Sequence, residues 1–242
     1  MKYAIIAAGE GSRLAKEGVK EPKPLVKINN EVLIDRLINV FLHNNATEVV
    51  VICNEEMEEV NTHLKTIAKN GLNGKHIPLR IIRKSTASSM HSFYELSSYL
   101  ANSPFVLTTV DTIFREAEFA EYVAAFHKAI DKGEDALMGV TDYIDDEKPL
   151  YVGIDEMLNV TGFYDTNEAQ CTYISGGIYG LTPNTLATLN RCIEKGESRM
   201  RNFQRALLAD EWKVKAYPFS KVLDIDHIGD IAKAEAFVKA TD

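Results

Sequence analysis

The sequence predicts an α/β fold on a mixed, mostly parallel sheet, and three observations carry that expectation. Short runs of β-branched and large apolar residues alternate with helix-spaced segments through residue 110, the pattern of a parallel sheet covered by helices on both faces. Beyond that point strand-like runs follow one another across short connections, which predicts antiparallel pairing added to the same sheet. Length and composition permit a large core: 242 residues, 45% hydrophobic and 26% charged, bury roughly 70 to 75% of the extended surface without a disulfide or metal staple.

Taken in order, residues 2–8, 48–53, 79–83 and 105–110 read as buried strands. Between them, Val32, Leu33, Leu37, Ile38, Phe41 and Leu42 form one face of a helix over 31–44. Asn54 is read as the N-cap of a second helix, with Glu55 and Glu56 in its first turn and a stripe at Met57, Val60, Leu64 and Ile67. A third helix covers 87–100, where Phe93, Tyr94 and Tyr99 are read as core. The second half predicts a helix over 116–131 and strands over 136–141, 151–154, 159–163 and 177–181. Thr182-Pro183 opens a helix running to 194. A helix over 198–210, strands over 214–217 and 222–225, and a closing helix over 228–240 complete the chain. No linker, repeat or low-complexity tract interrupts it, so residues 1–242 are read as one domain.

Composition also excludes partners. A net charge of −8 opposes nonspecific nucleic-acid binding. No run reaches the length of a membrane span, and residues 3–9 are too short an apolar stretch for a signal peptide. Cys53, Cys171 and Cys192 are far apart, without a CxxC motif, which predicts reduced thiols and a cytoplasmic location. The six histidines lack HxxxH or HExxH spacing, so no zinc site is expected, and His227 is read as facing solvent. Against this acidic background, Arg13, Lys16, Lys20, Lys23 and Lys27 outnumber Glu17 and Glu21 and suggest a pocket for a small anion.

The first strand runs into Gly9-Glu10-Gly11-Ser12-Arg13-Leu14. This places a glycine turn at the carboxyl end of a strand, where open α/β sheets bind ligands and successive amides can cradle an anion. Two glycines alone also serve turn geometry. A dinucleotide fingerprint needs a small residue where Leu14 stands and a helix opening from the loop, which Pro22 and Pro24 are expected to prevent. A Walker loop lacks its Gly-Lys-Ser/Thr.

What remains is AAGEGSRL, then Lys23-Pro24-Leu25 and a helix. This resembles the nucleotidyltransferases that join an NTP to a sugar 1-phosphate, whose relatives include molybdenum-cofactor guanylyltransferases and choline-phosphate cytidylyltransferases. The resemblance covers essentially the whole chain and implies a Rossmann-like three-layer sandwich. It implies that Ala8, Gly9, Gly11 and Ser12 surround the nucleotide, that Arg13 holds the β and γ phosphates, and that Lys23 touches the α phosphate. An arginine fork suits two phosphate oxygens, and a lysine supplies a movable point charge. Ser85-Thr86-Ala87-Ser88-Ser89-Met90 resembles the family's base-holding segment, with Thr86 and Ala87 lining the base. Asp111, after the fourth parallel strand, and Asp224, in Val222-Leu223-Asp224-Ile225-Asp226, match the pair that holds Mg2+, with Asp226 supporting them.

The acceptor region departs from the family. Ser175-Gly176-Gly177-Ile178-Tyr179 occupies the acceptor strand, with serine in place of the usual asparagine. The expected acceptor lysine is missing, Glu147-Lys148-Pro149 is read as a chance match, and Arg199 or Arg201 is the candidate substitute. The resemblance implies transfer from an NTP, held by the first half, to a phosphorylated small molecule held by the second, giving an NDP-linked product and pyrophosphate. A sugar 1-phosphate is the first choice of acceptor, and phosphocholine or another small phosphate the second. A noncatalytic nucleotide-binding regulator is the alternative from another class. No nucleic acid or membrane enters the reading, and a homo-oligomer is left open.

Overall fold

Alternate side chains of strand β1 (Lys2–Ala7) pass to opposite faces of the sheet and sort the core into two layers. Tyr3, Ile5 and Ala7 join one apolar cluster, while Ala4, Ile6 and the following Ala8 join the other. The computed structural model describes residues 1–239. Its parallel strands continue with β4 (Glu48–Cys53), β5 (Leu79–Arg83) and β6 (Phe105–Thr109), separated by α2 (Leu33–His43), α3 (Glu58–Asn70) and α4 (Ser89–Leu100). Two small hairpin strands, β2 (Lys27–Ile28) and β3 (Glu31–Val32), and a five-residue helix, α1 (Ser12–Lys16), fill the segment after β1.

The second half contributes β7 (Thr112–Ile113), α5 (Glu116–Asp131), β8 (Ala136–Thr141), β9 (Tyr151–Ile154), β10 (Val160–Tyr164) and β11 (Tyr173–Leu181). After them come α6 (Leu186–Glu194), α7 (Met200–Ala209), β12 (Val214–Phe219), β13 (Leu223–Asp224) and α8 (Ile228–Lys239). Among the described residues the main sheet has nine strands. Its backbone order is β5, β4, β1, β6, β11, β8, β12, and only β11 runs against its neighbours. The β9–β10 hairpin attaches to the start of β11. Buried residues of α2, α3, α5 and α8 pack on one face, and those of α4, α6 and α7 on the other. This is the expected three-layer sandwich with a mixed, mostly parallel sheet. Its six parallel strands bring their carboxyl ends to one edge.

Several local expectations are corrected. A short helix does open directly from Gly11, because the prolines that end regular helix lie beyond its last residue, Lys16. Helix α2 begins at Leu33 because Asn29 and Asn30, both at positive φ, form a two-residue turn that draws Glu31 and Val32 into a hairpin. Asn54 does not cap α3, which starts at Glu58. It is a buried turn residue whose side-chain oxygen accepts from the Glu56 amide at 2.9 Å and the Ser85 hydroxyl at 2.9 Å. A 3-10 turn over Pro183–Thr185 precedes α6. Tyr94 and Tyr99 are exposed, whereas Phe93 is core. The last residue expected in the closing helix, Ala240, lies outside the described residues. No helix among the described residues is long and apolar enough to cross a membrane.

Candidate active site

Gly11 fixes the relation between the glycine loop and Lys23. Its φ of +63° is the left-handed conformation that favours glycine, and a Cβ there would lie 3.0 Å from the Lys23 Cβ. At Gly9 a Cβ would meet no protein atom within 4 Å, so that glycine leaves open space beside the chain. Lys23 is carried on a 3-10 turn over Lys23–Leu25, with Pro24 buried beneath it. The following hairpin is held to α8, where Glu235 accepts from the Asn29 amide at 3.0 Å.

Lys23 contacts two carboxylates. Its ammonium donates to Asp111 and, at 2.9 Å, to Asp226, whose other oxygen accepts from Arg13 at 2.7 Å. Burial alone would lower the Lys23 pKa, but the adjacent Asp111 and Asp226 charges outweigh it and raise the pKa. Asp111 and Asp224 come together because β7 and β13 pair antiparallel, with Asp224 opposite Thr112 and the Ile225 amide bonded to the Asp111 carbonyl at 3.2 Å. Asp224 opens onto a cleft but is crowded by protein on its remaining sides. That crowding, and then the Asp111 charge, push its carboxyl up to about 8, against the pull of Lys23 and a hydrogen bond from Thr112.

Carboxylates crowded this closely are short of positive charge. Hard oxygen donors on two strands, with space beside them for phosphate oxygens, suit Mg2+, which usually takes one or two carboxylates together with substrate phosphates. Among the described residues no group of three or more histidine, cysteine, aspartate or glutamate side chains is arranged to hold a metal. It is the donor chemistry of Asp111 and Asp224, two carboxylates beside open space, that fits a metal shared with substrate.

The glycine loop and the Asp224 strand each border a cavity at these charges, and a third cavity shares Glu147 with the latter. One of about 530 Å³ is lined by Ala8, Gly9, Gly11, Ser12, Lys23, Thr86, Ala87 and Asp111, so it gathers every residue expected to surround the nucleotide. Arg13 does not line it. Instead Arg13 faces a second cavity of about 300 Å³, with Ser175, Gly176, Asp224 and Asp226. Gly177 stands apart from that lining. It sits at positive φ in the bulge of β11, where a Cβ would lie 3.5 Å from the Thr112 hydroxyl. The third cavity, about 720 Å³, is basic and contains Lys148, Arg199, Arg201 and Arg205. Of the two arginines considered for the acceptor, Arg201 donates to Asp165 at 2.5 Å and to the Lys148 carbonyl at 3.0 Å. Arg199 has no carboxylate partner among the described residues, sits at φ +72°, and donates its backbone amide to Ser88 at 3.4 Å. The segment read as a chance match thus places Lys148 on the wall of this cavity.

Sequence reasoning underrated several residues. Asp226 contacts both cations, rather than only supporting the metal pair. Gln204 is buried on α7 and accepts from the Ser175 hydroxyl at 3.1 Å. A glutamine on the apolar stripe of Met200, Phe203 and Leu207 was its available signal. Asn54 bridges strand ends through partners far apart in sequence. His227 is half-buried and bonded to Glu17 at 2.6 Å, and this contact raises its pKa.

The fold agrees with comparisons to known proteins. The model of the nucleotidyl transferase family matches residues 2–241. A mannose-1-phosphate guanyltransferase of Schizosaccharomyces pombe is 28% identical over 203 residues, covering 77% of this chain and 51% of that protein. The chain spans about half the length of the curated relatives it matches. A Bacillus anthracis structure described as a glucose-1-phosphate thymidylyltransferase superposes with a TM-score of 0.84 at 18% identity, covering 99% of this chain and 95% of the other. The inositol-1-phosphate CTP transferase from T. maritima gives 0.77 at 16%, covering 98% and 97%. The chain belongs to the nucleotidyl transferase family.

Proposed function

We propose that this protein transfers a nucleotidyl group from an NTP to a phosphorylated small molecule, with a sugar 1-phosphate as the first choice of acceptor. The observation that carries the proposal is the place of Lys23, on the wall of the glycine-loop cavity and in contact with the Asp111 carboxylate. A lysine so placed would meet the α phosphate while Gly9, Gly11 and Ser12 enclose the nucleotide and Thr86 and Ala87 line its base. Ser175 and Gly176, on the cavity that also contains Asp224, favour that side for the acceptor, and Arg199 belongs to the basic cavity that shares Glu147 with it. The first half of a single domain would thus hold the NTP and the second half the acceptor. The mannose-1-phosphate guanyltransferase relatives favour a sugar 1-phosphate.

In this reaction an acceptor phosphate oxygen forms a bond to the α phosphorus as the α–β bridging bond breaks, and pyrophosphate leaves with the electron pair. No nucleophilic side chain is required, because positioning and charge stabilisation dominate such transfers. Lys23 would hold charge at the α phosphate, and Arg13 would bind the departing pyrophosphate. Asp111 and Asp224 would hold Mg2+, which when bound supplies neutralising charge to the phosphate oxygens.

A second reading, a small non-sugar phosphate such as phosphocholine, is favoured by the acidic wall of the second cavity, where Asp145, Asp146 and Glu147 join Asp224. Pyrophosphate release with Mg2+, measured over the common NTPs against sugar 1-phosphates and phosphocholine, tests both. Release that depends on one NTP and one acceptor is the expected result. NTP binding without release from any pair would overturn the transferase and favour a nucleotide-binding regulator.

A further inference from the structure

Arg13 is turned away from the cavity it is expected to serve, onto a neighbouring one that shares Gly11, Ser12 and Lys23 with it. The glycine-loop cavity is lined by both neighbours of Arg13 on its N-terminal side, Gly11 and Ser12, but not by Arg13 itself. Its guanidinium instead donates to Asp226 at 2.7 Å, beside a smaller cavity formed by Gly11, Ser12, Arg13, Lys23 and Asp226. One carboxylate thus occupies two cations at once, since Asp226 accepts from Lys23 through its other oxygen.

We propose that Asp226 is a built-in stand-in for the terminal phosphates of the nucleotide. It holds Arg13 in the free protein and gives it up when a triphosphate arrives, which makes Asp226 a positioning residue that acts through Arg13. The inference rests on the nucleotide site proposed above. A carboxylate and a phosphate both offer an arginine a charged oxygen acceptor, so one can replace the other at the guanidinium without reshaping the loop.

The two contacts of Asp226 differ in how readily they open. The Arg13 and Asp226 side chains are 54% and 41% exposed, whereas Lys23 is 11% exposed and also held by Asp111. Exposed ion pairs are weak, so the Arg13 contact opens first while Lys23 stays in place. Asp226 is fixed for this exchange by its own backbone, whose amide donates to Asp230 at 3.2 Å.

The test is calorimetric binding of ATP, GTP, CTP, UTP and dTTP in EDTA, where no turnover occurs. Asp226→Asn should bind the preferred NTP about three- to fivefold more tightly than wild type, the upper part of the range for one exposed ion pair. In an Arg13→Ala background the same change should alter affinity less than about twofold, as expected when two mutations remove one interaction. Unchanged or weaker binding by Asp226→Asn overturns the proposal, as does a gain that persists in full without Arg13. Asp226→Ser, which also retains the backbone contact to Asp230, replaces the asparagine variant should the latter not fold. An independent reading comes from the side-chain NMR signal of Arg13 in wild type, which should move on adding pyrophosphate, and a stationary signal contradicts the exchange. Wild-type protein that binds none of the NTPs would overturn the nucleotide site itself and this inference with it, a result distinct from binding that ignores Asp226.

Discussion

Gly11 and Lys23 touch across the turn that joins the glycine loop to its lysine, and that contact makes a single methyl group informative. Gly11→Ala should lower stability by about 1–2 kcal/mol, because it combines a left-handed φ of +63° with a Cβ crowded against Lys23. Turnover should fall as the lysine is displaced, and the paired readout is thermal melting with pyrophosphate release. Lys23→Met should reduce kcat by about a hundredfold or more, the scale of losing a preorganised charge aimed at the reacting group. NTP affinity should change far less, and equal losses in both would contradict the role given to Lys23. These residues were legible because the loop and the lysine lie within fifteen positions of one another in one motif. Asp226 was legible only as a support for the metal pair, since its contacts with Arg13 and Lys23 span more than two hundred residues. Spacing conveys nothing about such distant pairings. Gln204 and Asn54 escaped for the same reason, each polar side chain meeting its partner only after the sheet has formed.

Strands and helices were more legible than the turns between them. The runs for β4, β5, α5, β8 and β9 coincide with the observed elements. Strands β4 and β8 are buried on both faces and leave a continuous hydrophobic signal, whereas β5, expected to be buried, is an edge strand with Arg80 and Arg83 exposed. The β2–β3 and β7–β13 pairings were hidden, since two-residue strands carry no periodicity. Yet β7 and β13 bring Asp111 and Asp224 together. Packing at the element level also sets two measurable limits. Gly180 in β11 lies where a Cβ would meet the Tyr122 hydroxyl at 2.8 Å and Phe126 at 2.9 Å. Gly180→Ala should therefore cost about 1–3 kcal/mol through overpacking, visible in chemical denaturation. Helices α2 and α3 are linked by His63 donating to Asp35 at 2.6 Å, and this hydrogen bond raises the His63 pKa against the opposing effect of burial. A raised folded-state pKa contributes stability in full below the unfolded value of about 6.5 and loses it as pH rises through the folded value. Asp35→Asn should thus lower the melting temperature at pH 5.5 by about 2–4 °C, for a pair worth about 1 kcal/mol or less, and leave it nearly unchanged at pH 9. Equal losses at the two pH values would refute the link.

Across the whole molecule, the sheet gathers chemistry that the chain scatters. Six parallel strands deliver the glycine loop, the 85–88 segment and Asp111 to one edge, and the antiparallel β11 returns Ser175 to the same place. An overall charge of −8 would repel a triphosphate, so the local excess of cations in the 12–27 segment has to overcome that field, and NTP affinity should fall as salt screens it. The sequence pattern anticipated this gathering because the glycine loop, the 85–88 segment and Asp111 each follow a strand that the pattern already located. It left the acceptor less defined, since that side is built from long-range contacts among β9, β11 and α7. The central claim is that the α phosphoryl group of an NTP moves to an acceptor in this cleft. The most direct measurement follows label from [α-32P]NTP into acceptor in the presence of Mg2+, comparing wild type with Asp111→Asn. Label should appear in an NDP-linked product with wild type and fall by a hundredfold or more, roughly, in the variant. Equal transfer by Asp111→Asn, or label that never leaves a tightly bound NTP, would contradict the account.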